Sequence, residues 1–127
     1  MAQPYFINIG ESVVKENKLA ELSMDLAVSV IRLCETIRGH YAITNQLERS
    51  ATSVGANIHE ANYAHSRADF VAKLQISLKE CYETEYWLRL FVNAQLTDRE
   101  SIKKIYDQCG TIRRILVASI NTAKESM

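Results

Sequence analysis

The chain has 127 residues, enough for one domain that buries a real core. Its 15 basic and 15 acidic side chains cancel, so no global field draws it to nucleic acid or an anionic membrane, and such binding would need a local patch. With four glycines and one proline it has too few chain breakers for an all-β protein, which needs regularly spaced turns.

The three cysteines, Cys34, Cys81 and Cys109, lie far apart inside apolar-periodic stretches. An odd number without a C-x-x-C pair argues against a disulfide framework or zinc knuckle, and predicts reduced core residues that pack as small hydrophobes. The opening MAQPYFINIGES carries neither a basic leader nor an apolar run, so no secretion signal is expected. No stretch approaches the ~20 apolar residues that span a bilayer. The expected location is the cytoplasm.

Residues 1–14 are expected to form an N-terminal arm, with residues 15–127 as the single domain. The arm contains Pro4 and the apolar Tyr5, Phe6, Ile7 and Ile9, suited to packing on the body or on a neighbouring subunit, and Ser12 could cap an early helical turn. From Lys15 a first helix is predicted, with Leu19, Leu22, Leu26, Val30, Leu33 and Ile37 on one face. Met24, Val28 and Ile31 add a second row, and so wide an apolar arc touches more than one neighbour. Gly39 stands where a left-handed helix end would want it.

Thr44 is the expected N-cap of a second helix, whose apolar row is Leu47, Ala51, Val54, Ile58 and Ala61. Gly55, in mid-helix, costs about 1 kcal/mol against alanine, which favours close approach by another helix over a functional kink as its reason. A turn is placed at Tyr63 to His65, followed by Ser66 and Asp69 as a capping box with the shorter acid. The third helix carries Phe70, Leu74, Leu78, Cys81, Leu88 and Val92, its arc widened by Ile76, Tyr86, Trp87 and Phe91. Thr97 to Glu100 reads as a full capping box for a fourth helix, with Ile102, Ile105, Tyr106, Cys109, Ile112, Leu116, Ser119, Ile120 and Ala123 inward and Gly110 its weakest point. Long amphipathic helices with short linkers pack as antiparallel neighbours. The predicted fold is therefore all-α, an antiparallel up-down-up-down four-helix bundle.

A bundle of this kind invites a di-iron site, which needs glutamate and histidine three apart on two helices. No glutamate here has histidine at that spacing: Glu60 is followed by Tyr63, Glu80 by Glu83, and Glu83 by Tyr86. His59 and Glu60 would point about 100° apart on a helix and His65 falls in the turn, so solvated side chains are expected rather than a metal site. There is no G-x-S-x-G elbow and no glycine-rich phosphate loop. Glu80, Glu83 and Glu85 on the third helix read first as its solvated side, with Lys79 placed to offset them. No catalytic, cofactor-binding or metal-ligating residue is predicted, and no small-molecule substrate is evident.

A nucleic-acid interface would draw on Lys103, Lys104, Arg113 and Arg114 of the fourth helix, with Arg49, Arg67 and Lys73 elsewhere. Tyr82, Tyr86 and Trp87 could stack bases, but they sit among glutamates that repel phosphate. The second helix also carries a polar stripe of Ser50, Ser53, Asn57 and Glu60, spaced three or four apart. It reads as a small-residue seam with interhelical hydrogen bonds from Asn57 and Glu60, or alternatively as a polar pocket with Glu60 as its charged group.

The segments RSATSVGANIHEA (Arg49 to Ala61) and KLQISLKECYETEYWLRLF (Lys73 to Phe91) together resemble the four-helix-bundle family named for the 23S rRNA intervening-sequence protein, bacterial proteins also labelled S23 ribosomal proteins. The resemblance covers helices two and three closely and continues through the fourth. It implies a bundle without catalytic activity that assembles into a homo-oligomeric ring, often a pentamer. Some members are encoded within insertions of 23S rRNA genes. A related bundle is an accessory factor for the reverse transcriptase of diversity-generating retroelements and binds nucleic acid through a basic surface, from which this neutral chain departs. The family signature falls on Asn57, Glu60, Lys79, Glu80, Glu83, Thr84 and Trp87, whose implied role is to join helices two and three or to line a subunit interface. The resulting expectation is a non-enzymatic homo-oligomeric scaffold, with an RNA- or DNA-binding accessory protein as the alternative.

Overall fold

A computed structural model of the chain describes Asn8–Ile9, Ser12–Val13 and residues 17–127. Strand β1 (Asn8–Ile9) pairs antiparallel with β2 (Ser12–Val13), Asn8 opposite Val13 and Ile9 opposite Ser12. Ser12 thus joins a short ladder instead of capping a helical turn. The packing expected of Tyr5, Phe6 and Ile7 lies outside the described residues.

Helix α1 (Lys18–Glu35) begins three residues later than Lys15, because Asn17 is extended and its side-chain oxygen accepts from the Ala20 N–H at 2.8 Å. After the Thr36 cap the chain turns through Gly39, whose φ of +84° suits a residue without a side chain. Helix α2 (Tyr41–Ala61) starts ahead of Thr44. The Thr44 hydroxyl bonds back to the His40 carbonyl at 3.2 Å from within the first turn and is buried, so this threonine is a packed helical residue and not the cap.

Helix α3 (Arg67–Asn93) follows the predicted turn, with Ser66 as its cap. The Ser66 hydroxyl accepts from the Asp69 N–H at 3.1 Å, while the Asp69 carboxylate accepts from the His65 N–H, one residue before the cap itself. The helix closes in a Schellman motif: Leu96 N–H donates to the Phe91 carbonyl and Gln95 N–H to that of Val92. Gln95 takes the left-handed position, with φ at +59°. Helix α4 (Arg99–Glu125) is capped by Asp98 and not by Thr97. The Asp98 carboxylate accepts from the Ser101 N–H at 2.7 Å, and that bond holds its carboxyl below the usual range. A carboxylate is the stronger partner for the positive end of a helix. The helix runs through Gly110 unbroken.

Each helix packs on two others: α1 and α3 both touch α2 and α4, while α1 and α3 do not touch. The chain is all-α in its four helices, and the diagonal pairs are α1 with α3 and α2 with α4. The interior is filled by Leu26, Val30, Leu47, Val54, Ile58, Leu74, Leu88, Phe91, Ile112 and Leu116, all essentially inaccessible. Cys34, Cys81 and Cys109 are free thiols in this interior, as their setting in apolar rows predicts. Gly55 lies where a Cβ would come within 3.2 Å of the buried Ser23 hydroxyl, so the expected close approach is that of α1.

The third helix buries Leu74, Cys81 and Leu88 of the expected face, but its buried side extends to one flank of that row. Val71, Ser77, Thr84 and Glu85 are buried, Phe70, Leu78 and Val92 are half-buried, and Ile76 and Tyr86 face outward. Apolar residues occur around its whole circumference, so periodicity alone does not choose the buried side.

Candidate functional site

Between α2 and α3 the core contains hydroxyls where apolar side chains would be usual. Ser77 donates to the Val54 carbonyl at 2.9 Å, crossing from one helix to the backbone of the other. The Thr84 hydroxyl lies 3.0 Å from Ser50 Oγ and 2.8 Å from the carbonyl of Glu80, and Ser50 donates to the carbonyl of Leu47. All three hydroxyl side chains are buried and satisfied. Small side chains here let the helices come close, and the cross-bonds hold their register. Of the other stripe residues, Asn57 turns to its own helix and donates to the Ser53 carbonyl, while Glu60 is exposed and accepts from Lys73 Nζ at 2.8 Å on α3.

Above this seam Arg49 of α2 bridges Glu80 and Glu83 of α3. Glu83 also accepts from the Trp87 indole N–H at 2.9 Å. The indole bond lowers the Glu83 carboxyl most, burial opposes it, and the Arg49 guanidinium adds to the lowering, so the group sits below the usual carboxylate range. The charge that offsets these glutamates is Arg49, reached across the interface, and not the exposed Lys79. Glu85 is not solvated: it is 8% exposed and accepts from Arg113 Nε of α4 at 3.0 Å. The Arg113 guanidinium also sits over the Tyr82 ring, 5.8 Å from its centre.

The four basic residues expected to meet nucleic acid are therefore placed differently. Arg113 is engaged by Glu85, and Lys103 by Asp107 at 2.9 Å along its own helix. Arg114 donates to the Thr111 hydroxyl, and Lys104 is exposed with no ion pair among the described residues. Two of the thiols are poor nucleophiles: burial pushes Cys34 up to about 12, and a bond to Cys81 followed by burial raises Cys109. Among the described residues no group of three or more histidine, cysteine, aspartate or glutamate side chains is placed to hold a metal ion. His59 instead packs its ring 5.3 Å from that of Tyr63. No described helix is long and apolar enough to cross a membrane.

Two outward faces stand out. On α1, Met24, Val28 and Ile31 are exposed at a spacing that lines them up on one side. On α3, Ile76, Tyr82 and Tyr86 are exposed, and Tyr86 meets the edge of Trp87 with ring centres 5.0 Å apart. Because α1 and α3 are diagonal in the bundle, these faces look in opposite directions.

Sequence reasoning missed Ser77 and the Glu85–Arg113 pair. A signal was present for the first: Ser77, Thr84 and Phe91 recur at seven-residue spacing, each three residues on from the Leu74, Cys81 and Leu88 row. None marked Glu85, since its partner lies on another helix.

Residues 15–118 match the family described as 23S rRNA-intervening sequence protein. A crystal structure of a protein of unknown function from the S23 ribosomal protein family, from Bacteroides thetaiotaomicron, is similar at 38% identity and a TM-score of 0.77. That match covers 81% of this chain and 98% of the other. No curated protein matches the chain.

Proposed function

The chain belongs to the 23S rRNA-intervening sequence protein family, and on that footing we propose that it acts as a non-enzymatic, self-associating scaffold, the α1 face of one copy docking on the α3 face of the next. The observation that carries this reading is the pair of exposed faces on diagonal helices, the apolar row Met24, Val28 and Ile31 on α1 and the neighbouring Tyr82 and Tyr86 on α3. Apolar rows left in water favour burial against a partner, and tyrosine is enriched among residues that dominate interfaces. Two different faces pointing apart give a head-to-tail contact, which closes into a ring when the rotation allows. The ring is the assembly that the family resemblance implies, with five copies as its usual number. Charge pairing within the bundle engages Arg113 and Lys103, two of the four basic residues expected to form an extended strand-binding surface, and so favours the scaffold reading.

Light scattering on the intact chain tests this. The expected mass is several times the 14.4 kDa of one copy, and a monomer at micromolar concentration would overturn the proposal. Val28→Asp and Tyr86→Asp should each break the assembly, and the two variants mixed should form a one-to-one pair through their remaining intact faces. Contact of α3 with α3 would instead leave Val28→Asp dimeric.

A further inference from the structure

At the end of the bundle where α3 passes into α4, a groove of about 510 Å³ opens between the two helices. That lies within the roughly 300–1,000 Å³ usual for small-ligand sites. One wall carries Arg89 and the other Arg99 and Lys103, with Val92 and Tyr106 between them and Asp107 beside Lys103. Neither Arg89 nor Arg99 makes a hydrogen bond or ion pair among the described residues, whereas Arg49 and Arg113 are both engaged by carboxylates. Three cations and one carboxylate leave the groove with two surplus positive charges, in a chain whose overall charge is zero.

We propose that this groove binds a phosphate monoester attached to an aromatic base, that is, a nucleotide unit. A phosphate monoester carries about −1.5 to −2 charges near neutral pH, which matches the surplus. Guanidinium groups hold phosphate oxygens through paired N–H donors, and two free arginines on facing helices can grip it from both sides. A carboxylate ligand would balance only half of that charge. Val92 and the half-buried Tyr106 provide the apolar and aromatic surface on which a base stacks, a contact open to any base because each has a π-face. Asp107 would repel the phosphate directly, but Lys103 holds it at 2.9 Å, which turns it toward neutralised acceptor chemistry such as a sugar hydroxyl. The nucleotide unit could come from a free mononucleotide or from the phosphorylated 5′ end of a strand, and the two share this chemistry.

The test titrates the intact protein with AMP, adenosine, inorganic phosphate and a tetranucleotide with and without its 5′ phosphate, read by calorimetry and by amide NMR shifts. AMP is expected to bind at least about tenfold more tightly than adenosine or phosphate alone, with the largest shifts at Val92, Arg99 and Tyr106. Arg89→Ala and Arg99→Ala should each weaken it by about tenfold at unchanged helical circular dichroism. Tyr106→Leu should weaken AMP while leaving phosphate alone unaffected. A strand end is the source if the 5′-phosphorylated tetranucleotide outbinds AMP and loses that advantage on dephosphorylation; free nucleotide is the source if AMP binds as well or better. Equal binding of AMP and adenosine, shifts elsewhere on the bundle, or full binding in both arginine variants would overturn the assignment.

Discussion

Thr84 Oγ1 and Ser50 Oγ meet 3.0 Å apart in the closed interior, one from each of the two helices that carry the family signature. Both side chains are fully buried, so their contact cannot be replaced by water. Thr84→Val keeps the shape and removes the donor, and should cost about 1–2 kcal/mol. Ser50→Ala alone should cost a similar amount. The double variant is expected to lose less than the sum, because the second change leaves no orphaned partner. Urea unfolding of the four proteins in this cycle checks it; strict additivity would show that the hydroxyls act independently.

The α3–α4 turn stores a small strain at Gln95, which sits at φ +59° where glycine is usual. Gln95→Gly should relieve it while keeping the two closing N–H bonds to Phe91 and Val92. Part of the gain is offset by the greater freedom of glycine in the unfolded chain, so a net stabilisation of about 0.5–1 kcal/mol is expected. A rise in thermal midpoint would register this; a fall would mean that the glutamine side chain makes its own contribution.

The Trp87 indole and the Arg49 guanidinium both favour the charged form of Glu83, so its folded carboxyl titrates lower than its unfolded one. The sign follows: the contribution to stability is present above the unfolded carboxylate range and is lost as pH falls through the depressed folded value. Solvent reaches this partly exposed group and screens the pairing, so the effect should be modest. Glu83→Gln is expected to be less stable than the parent at neutral pH and to approach it in acid. Denaturant midpoints across that range, with Trp87 fluorescence as the reporter, provide the measurement. A gap that widens on acidification would contradict the assignment.

Much of the architecture was legible along the chain because it depends on neighbours close in sequence. The three- and four-residue apolar spacing marks each helix, Ser66 caps α3 where expected, and Gly39 turns at positive φ. Even Gly55 announced a close approach, although not that Ser23 would make it. Local signals failed where two residues could each serve. Thr97 and Asp98 both suit an N-cap, and the carboxylate took it; Thr44 resembles a cap yet is buried inside the first turn of α2.

The seam marked by a polar stripe on the second helix is partly a matter of α3. By itself the sequence determined four amphipathic helices, their antiparallel order, the buried thiols and the small residues that let α2 approach its neighbours. Only the tertiary structure decided how far the buried side of α3 extends beyond Leu74, Cys81 and Leu88, because that helix carries apolar residues all around and its burial depends on what α2 and α4 present. It alone placed Glu85 beside Arg113 and Arg49 over Glu83, pairings 28 and 34 residues apart that no local pattern encodes. It alone left Tyr82 and Tyr86 outward opposite Val28, since exposure belongs to the packed bundle and not to any one segment.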